Sequence, residues 1–177
     1  MTGMLGAVLA GGASRRFGSD KALAEVGGKR LIDHAIAALA ARCDAIVICG
    51  RTLEGFATVA DRPAPGLGPL GGLAGALGAA VSGGYQWVLS VPCDVPDLPG
   101  DLFERLVGEG GGAAAYAREC PVVGLWPAGL GTLLEAHLGS GERSMRSWIA
   151  RIEAVGVDWP APLSNINTPD DLRRIAG

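Results

Sequence analysis

The sequence predicts an α/β domain with a mostly parallel sheet and an antiparallel strand in its second half. Short apolar runs alternate with longer segments rich in Ala and Leu, which is the order of strands and crossover helices in a parallel sheet. The runs of the first half are apolar without alternation, as in strands covered on both faces. In the second half only Arg118–Pro121 separates two such runs, a spacing typical of a hairpin.

Each strand is predicted where a short apolar run lies between polar or glycine-rich turns, and each helix where apolar residues recur on one helix face. The predicted strands are Met4–Leu9, Ala45–Cys49, Trp87–Val91, Ala113–Ala117, Val122–Trp126 and Ile152–Val157. The predicted helices are Leu31–Arg42, Leu70–Val81, Pro99–Val107, Leu130–Leu138, Ser144–Ala150 and Pro169–Ala176.

Composition excludes several classes of protein. The 177 residues suffice for one domain, and 49% hydrophobic residues with a mean hydropathy of +0.30 argue against disorder. A net charge of −3 argues against broad nucleic-acid binding. No apolar run has the length of a membrane span and the start is not of signal-peptide type, so a cytoplasmic location is expected.

The cysteines are expected to be reduced, mostly buried thiols. They are Cys43, Cys49, Cys93 and Cys120, and none forms a C-x-x-C pair or lies at ligand spacing from a histidine. This pattern disfavours a zinc site. His34 and His137 lie within helical patterns, which favours structural roles over catalysis.

The strongest functional signal follows the first predicted strand and reads LAGGASRRFGSDK over residues 9–21. The paired glycines Gly11 and Gly12 allow backbone N–H groups to approach an anion closely. The cations Arg15, Arg16 and Lys21 supply donors suited to phosphate oxygens. A surface turn with solvated charges is the alternative, but a strand, paired glycines and three cations in this order favour binding of nucleotide phosphates. The segment is not a P-loop, because no G-x-x-x-x-G-K-[ST] pattern occurs.

A carboxylate follows a later predicted strand in a similar way. Asp94 comes after Trp87–Val91, and a carboxylate at the carboxyl end of a parallel strand suits Mg²⁺, which takes few carboxylates with phosphate oxygens and water. Asp97 is predicted to cap the following helix. Asp61 is a second carboxylate at a probable strand end, which faces either the same site or only its turn.

Three further segments leave structural and functional interpretations open. Residues 66–71 match G-x-G-x-x-G but follow a proline-broken loop, so they indicate a loop opening a helix, which would contact a base or ribose, rather than a dinucleotide site. Asn165 and Asn167 alternate along an extended segment and would present amides to a polar ligand. Arg143 lies in a loop that is either a helix connection or a lid over a second substrate.

The motifs together resemble those of the molybdenum cofactor guanylyltransferases, the MobA type of nucleotidyltransferase. They are LAGG-x-SRRFG-x-DK at 9–21, GPL-x-G at 68–72, CD-x-P at 93–96, GER at 141–143 and N-x-NTP at 165–169. The likeness spans nearly the whole chain in the family's order. Two segments depart from the family pattern: Cys120 stands before Pro121 where a His is frequent, and Cys49-Gly50-Arg51 follows the second strand where an Asn is frequent, so no nucleotide contact is expected there.

The resemblance implies a three-layer Rossmann-like nucleotidyltransferase fold that uses GTP and molybdopterin with Mg²⁺. The phosphate of molybdopterin would attack the α-phosphorus of GTP, pyrophosphate would leave, and a guanine dinucleotide cofactor would form. Transient contacts with molybdoenzyme apoproteins or other cofactor-assembly proteins would follow, with no nucleic acid and no membrane involved.

The resemblance also implies roles for individual residues. The expected nucleotide-binding residues are Leu9, Ala10, Gly11, Gly12, Lys21, Asp61 and Asp94. The expected catalytic residues are Lys21, Asp94, Arg15 and Arg16, with Asp94 as the metal ligand. The expected acceptor-binding residues are Asn165, Asn167 and Arg143. Because the attacking phosphate is already anionic, alignment and charge neutralisation would suffice without a strong general base.

The domain is expected to divide near Gly108–Gly112 into a nucleotide-binding half, about 1–107, and an acceptor-binding half, about 108–177. Two alternatives remain open on the sequence. One is transfer of another nucleotide, foremost CMP from CTP; the other is a non-catalytic nucleotide-binding protein, which the presence of Asp94 and Lys21 disfavours.

Overall fold

The computed structural model describes residues 3–11, 21–159, 163, 166 and 171, with only the main chain at Lys21. The strands are β1 (Met4–Leu9), β2 (Glu25–Val26), β3 (Lys29–Arg30), β4 (Ala45–Cys49), β5 (Ala57–Val59), β6 (Trp87–Pro92), β7 (Ala115–Ala117), β8 (Cys120–Pro127) and β9 (Val155–Val157). The helices are α1 (Leu31–Ala40), α2 (Pro69–Gly83), α3 (Leu102–Gly110), α4 (Gly131–Gly139) and α5 (Met145–Arg151), with short 3-10 helices at Lys21–Leu23 and Ala128–Leu130.

Among the described residues, seven strands form one sheet in the order β5-β4-β1-β6-β8-β7-β9. The pairs β5–β4, β4–β1, β1–β6 and β7–β9 are parallel, whereas β8 runs antiparallel to both of its neighbours. This confirms the predicted mostly parallel sheet with an antiparallel strand in the second half. The predicted hairpin is present, but only Arg118 and Glu119 connect its strands, because β8 begins at Cys120, which pairs with Ala117, rather than at the predicted Val122.

Two apolar cores cover the two faces of the sheet and give the three layers. One core includes Ile32, Leu39 and Leu106 from α1 and α3. The other includes Leu73 and Leu77 of α2 together with residues of α4 and α5. Because β1 and β6 are covered on both sides, they tolerate the uninterrupted apolar sequence that predicted them.

Among the strands, β5 and the β2–β3 hairpin were not predicted, nor were the short 3-10 helices. The strand β5 has three residues that are mostly exposed, so it carries too little apolar pattern to be recognised. The hairpin of β2 and β3 turns through Gly27 and Gly28, whose φ angles of +58° and +75° suit glycine. Neither element has the length or burial on which the sequence pattern depends.

The predicted cap of the third main helix was wrong. The helix α3 begins at Leu102 rather than near Pro99, and Asp101, not Asp97, occupies the N-cap position, without a side-chain cap hydrogen bond. Asp97 is exposed. The amide of Leu102 instead donates to the carbonyl of Pro99 at 3.1 Å, so the two prolines are followed by a turn before the helix starts.

The glycine-rich helix α2 forms because its small residues let the chain that follows β5 pack against it. A Cβ on Gly75 would lie 2.2 Å from the carbonyl oxygen of Ala60. The guanidinium of Arg62 crosses α2 at Gly78 and pairs with Glu135 of α4, with Nε and Oε1 2.9 Å apart. Close packing of this kind offsets the low helix propensity of glycine.

One buried polar network joins β6 to the antiparallel strand β8. The indole Nε1 of Trp126 donates to Ser90 Oγ at 2.8 Å, and Ser90 Oγ donates to the carbonyl of Val122 at 2.6 Å. Both side chains are fully buried, so each needs the other as a partner. In the part of the chain that the structure describes, no helix is long and apolar enough to cross a membrane.

Candidate active site

The candidate site lies at the sheet edge where the parallel strands end. The strands β1, β4 and β6 are adjacent and parallel, so Ala10, Gly50 and Cys93 follow them at the same edge. Ligands of open parallel sheets bind beyond this edge. The first predicted binding residues, Leu9 to Gly11, are therefore placed where such a ligand would approach.

Two glycines meet where β1 and β4 end. The amide of Ala10 donates to the carbonyl of Cys49 at 3.0 Å, which extends the ladder by one residue. Beyond it, a Cβ on Gly50 would lie 2.4 Å from Gly11 Cα and 2.7 Å from Gly11 N. The φ of Gly50 is +82°, so this position requires glycine for both its conformation and its space. The sequence indicated Gly11 as a binding residue but gave no sign of its contact with Gly50, although Gly50 also directly follows a predicted strand.

Most of the predicted phosphate-binding loop lies outside the described residues. This applies to Gly12, Arg15 and Arg16, and to the side chain of Lys21. The main chain of Lys21 begins the 3-10 helix Lys21–Leu23, which leads into the β2–β3 hairpin. The roles assigned to these cations therefore remain predictions.

The carboxylate of Asp61 lies against the first turn of α2. Its Oδ2 accepts a hydrogen bond from the amide of Gly66 at 3.1 Å. A Cβ on Gly71 would lie 3.2 Å from Asp61 Cγ, which shows how closely the helix start and this carboxylate pack. The G-x-G-x-x-G segment opens α2, as the sequence predicted, but the helix begins at Pro69, one residue before the predicted Leu70, with Gly68 at the N-cap.

The first turn of α2 also reaches the ends of β1 and β4. A Cβ on Gly72 would lie 3.1 Å from Cys49 Cβ and 3.3 Å from Leu9 Cδ2. Only a glycine at 72 permits this approach without displacing its neighbours. The sequence signal for this close approach was the pair Gly71 and Gly72 in the first helical turn. The motifs that contain them were compatible with either a structural or a binding role.

Asp94 lies in the turn that follows β6 and is partly buried. Its main-chain carbonyl accepts a hydrogen bond from the amide of Ile166 at 2.9 Å. Burial raises the pKa of the neighbouring Cys120 thiol, and the negative charge of Asp94 raises it further. Cys120, the residue that departs from the family pattern, therefore stands as a buried, protonated thiol beside Asp94.

Asp61 and Asp94 follow strands that are three positions apart in the sheet, about 14 Å at the usual strand spacing. The strand β1, which Gly11 follows by two residues, lies between them. Among the described residues no group of three or more His, Cys, Asp or Glu side chains is arranged to hold a metal ion.

The predicted acceptor residues lie elsewhere along the edge or outside the described residues. Arg143 is exposed on the connection between α4 and α5. Because β8 runs antiparallel to β6, it ends at the edge of the sheet opposite the carboxyl edge, and α4 starts there. The helix α4 then runs back toward the carboxyl edge, where this connection lies, and its Glu135 pairs with Arg62 on the way. Asn165 and Asn167 are outside the described residues, but Ile166 between them is described and fully buried.

The histidines and thiols have structural positions. The Nε2 of His34 lies 3.1 Å from the carbonyl of Val26, and His137 is buried with its ring against Trp148. The four cysteines are free thiols. Burial raises the pKa of Cys43 to about 12 and that of Cys49 to about 12, which keeps both protonated near neutral pH.

Comparison with known proteins decides the family. Residues 6–155 match the family model described as the MobA-like NTP transferase domain. The chain belongs to this family. It is therefore a nucleotidyltransferase, as the motifs predicted.

Named relatives resemble the chain over nearly its whole length. A molybdenum cofactor guanylyltransferase of Shewanella sp. strain MR-4 is 35% identical, over 96% of this chain and 93% of that protein. One of Acidiphilium cryptum is 38% identical, over 93% of this chain and 90% of that protein.

Solved structures support the MobA-like fold. The molybdopterin-guanine dinucleotide biosynthesis protein A of Archaeoglobus fulgidus superposes with a TM-score of 0.76 at 24% identity, covering 98% of this chain and 97% of that one. The 2-C-methyl-D-erythritol 4-phosphate cytidylyltransferase of Thermus thermophilus gives a TM-score of 0.74 at 15% identity, covering 96% of each chain. The same three-layer fold thus occurs in enzymes named for different nucleotides.

Proposed function

We propose that this MobA-like protein transfers GMP from GTP to the phosphate of molybdopterin, releasing pyrophosphate and forming molybdopterin guanine dinucleotide. The observation that carries the proposal is the exposed Gly11 main chain after β1, which lies in the sheet between β5, the strand before Asp61, and β6, the strand before Asp94. The names of relatives at 35% identity support GTP as the nucleotide and molybdopterin as the acceptor.

We assign nucleotide binding to the main chain from Leu9 to Gly12, with Asp61 near the start of α2. An exposed, side-chain-free edge permits phosphate oxygens to approach backbone N–H groups. The carboxylate of Asp61, held by the amide of Gly66, is suited to accept hydrogen bonds from a base or ribose.

We assign charge neutralisation to Lys21, Arg15 and Arg16, and metal binding to Asp94. Both substrates are anionic, so the site must offset their repulsion before the acceptor oxygen and the α-phosphorus can align in line. Asp94 fits Mg²⁺, because its carboxylate stands at the end of a parallel strand where phosphate oxygens and water would complete the coordination. A bound Mg²⁺ would stabilise negative charge that develops on the phosphates.

We assign the acceptor side to Arg143, Asn165 and Asn167, and propose that residues 1–107 and 108–177 form the nucleotide and acceptor halves. The sheet order supports this division, because β5, β4, β1 and β6 come from the first part of the chain and β8, β7 and β9 from the second. We also propose a cytoplasmic location, which the four free thiols support because disulfides persist mainly in oxidising compartments.

The deciding experiment incubates the purified protein with molybdopterin, Mg²⁺ and either GTP or CTP, and identifies the dinucleotide product by mass. We expect turnover with GTP, no turnover for Asp94→Ala, and near-normal turnover for Asp97→Ala, whose exposed carboxylate lies in the same connection. Near-normal turnover of Asp94→Ala would contradict the metal assignment. Preference for CTP would favour a cytidylyltransferase, and nucleotide binding without product would favour a non-catalytic protein.

A further inference from the structure

A small apolar cluster, separate from the two main cores, fastens the end of the chain to the site edge. It consists of Val26, Leu31 and Ile166, with Ala24 packed against it. Ile166 and Leu31 are fully buried, and the amide of Leu31 donates to the carbonyl of Ala24 at 2.8 Å. The cluster therefore joins Ile166 to the hairpin that follows the phosphate-binding segment.

The main chain of Ile166 contacts Asp94. Its amide donates to the carbonyl of Asp94 at 2.9 Å, although the two residues are far apart in sequence. Three residues earlier, the amide of Leu163 donates to Glu119 Oε2 at 3.1 Å, in the turn between β7 and β8. The end of the chain is thus attached at two points along the carboxyl edge.

Two kinds of contact restrain the Asp94 turn. Val95 and Pro96, which follow Asp94, are buried, and the carbonyl of Asp94 accepts the hydrogen bond from Ile166. Because the direction of a carboxylate depends on the main chain at its own Cα, a shift of this turn would shift any ion that the carboxylate binds. The burial of the Ile166 side chain fixes the donor of that hydrogen bond.

We infer that Ile166 is a positioning residue for Asp94: its buried side chain holds the amide that fixes the Asp94 turn, and so sets the affinity of the site for a divalent ion. The inference rests on the proposed function, since it takes Asp94 as the metal ligand. In this role Ile166 acts through Asp94 and contacts no reacting atom itself. Groups that orient a metal ligand from behind commonly change metal affinity about 10- to 100-fold when removed.

The test measures binding of Mn²⁺ to the intact protein with GTP by electron paramagnetic resonance, and binding of GTP without metal by calorimetry. For Ile166→Ala we expect a Mn²⁺ dissociation constant raised about 10-fold, with metal-free GTP affinity unchanged. For Ile166→Val, which keeps most of the side chain, we expect a rise of about threefold.

Leu134→Ala is the matched control, because Leu134 is equally buried but belongs to the core beneath α2, on the other face of the sheet. It should lower thermal stability and leave the Mn²⁺ dissociation constant unchanged. A Mn²⁺ affinity of Ile166→Ala equal to that of the wild type would overturn the inference. An equal loss of Mn²⁺ and metal-free GTP affinity would also overturn it, because that result indicates general loosening of the edge.

If Ile166→Ala does not fold, the Mn²⁺ dissociation constant of Ile166→Val tests the inference. A raised dissociation constant in this variant supports the inference, and an unchanged one overturns it. Asp94→Asn separates this inference from the function on which it rests. Loss of Mn²⁺ affinity in Asp94→Asn with normal affinity in the Ile166 variants rejects only the positioning role. Normal Mn²⁺ affinity in Asp94→Asn rejects the metal assignment itself.

Discussion

Gly50 and Gly11 pack main chain against main chain, so closely that a Cβ on Gly50 would lie 2.4 Å from Gly11 Cα. The contact joins the ends of β4 and β1 at the edge where the nucleotide is proposed to bind. With a φ of +82° and no space for a side chain, residue 50 of this chain requires glycine in this backbone position. The Gly11 main chain is thus positioned by a second glycine rather than by a side chain.

Gly50→Ala should displace Gly11 and weaken use of GTP. The collision is with backbone atoms, which cannot rotate away, so we expect kcat/KM for GTP to fall about 100-fold, the cost associated with misplacement of reacting groups by about 1 Å. Steady-state kinetics at varied GTP measure it. Gly55→Ala is the control, because Gly55 has a similar φ of +85° but open space around it. Equal losses for the two variants would mean that backbone strain, not the Gly11 contact, is responsible.

Lys21→Ala should lower the rate of guanylyl transfer about 100-fold or more, as expected when a preorganised charge-stabilising group is removed. The comparison is Lys29→Ala, which removes an exposed Lys of the neighbouring β2–β3 hairpin. Single-turnover rates with saturating GTP separate the chemical step from binding. An unchanged rate and GTP affinity in Lys21→Ala would refute the assigned role.

Gly75→Ala should destabilise the fold, because the new methyl carbon would lie 2.2 Å from the Ala60 carbonyl oxygen. Overpacking of this kind typically costs about 1–3 kcal/mol. In contrast, Gly108→Ala in α3 meets nothing within 4 Å and should stabilise by up to about 1 kcal/mol, since Ala has the higher helix propensity. Urea unfolding at neutral pH measures both. A Gly75→Ala protein as stable as Gly108→Ala would show that α2 and the Ala60 segment separate at little cost.

Ser90→Ala should lower the free energy of unfolding by about 1–3 kcal/mol, because it leaves the buried Trp126 Nε1 donor and the Val122 carbonyl without their shared partner. Ser82→Ala removes a hydroxyl that is exposed and bonded only to the Gly78 carbonyl of its own helix, so it should change stability by less than about 0.5 kcal/mol. Guanidinium unfolding followed by tryptophan fluorescence compares them. Similar costs would indicate that the buried network contributes little to stability.

The thiol of Cys49 should make the free energy of unfolding fall as the pH rises above 9. Burial, aided by the charge of Asp61, raises the pKa of its thiol from 9.0 to about 12. The unfolded chain therefore releases this proton between pH 9 and 12 while the folded chain keeps it, so its contribution is complete below pH 9 and is lost toward pH 12. The slope approaches about 1.4 kcal/mol per pH unit.

Cys49→Ala isolates this contribution from other titrating groups. The free energies of unfolding of the wild type and the variant, measured in urea at pH 7 and at pH 10, should converge at the higher pH. A difference that is constant across this range would contradict the pKa argument.

The sequence alone identified the elements that depend on strong burial. The strands β1 and β4 were predicted to the residue, because each is a continuous apolar run of the kind found in strands covered on both faces. The three-residue β5 was missed, since an exposed edge strand has no such pattern. Asp97 was assigned to a cap because Pro99 resembles a first helical residue, whereas the helix begins later, at Leu102.

The sequence also predicted the edge of the candidate site, because a motif that directly follows a parallel strand must lie at the carboxyl edge of the sheet. Leu9 to Gly11 and Asp94 were placed at this edge from local order alone, and their roles stay predictions. That order, together with the named family motifs, determined the fold class, the enzyme family and the edge where the substrates are proposed to meet.

Only the tertiary structure decided which distant residues touch there. The Gly50–Gly11 contact, the packing of Gly71 and Gly72 on Asp61, Cys49 and Leu9, and the hydrogen bond from Ile166 to Asp94 each join segments that are remote in sequence. Local patterns report which face of an element is buried, but the partner on that face depends on sheet order and on the path of each connection. Contacts between chain segments are therefore a property of the whole packed core, and no single stretch of sequence contains them.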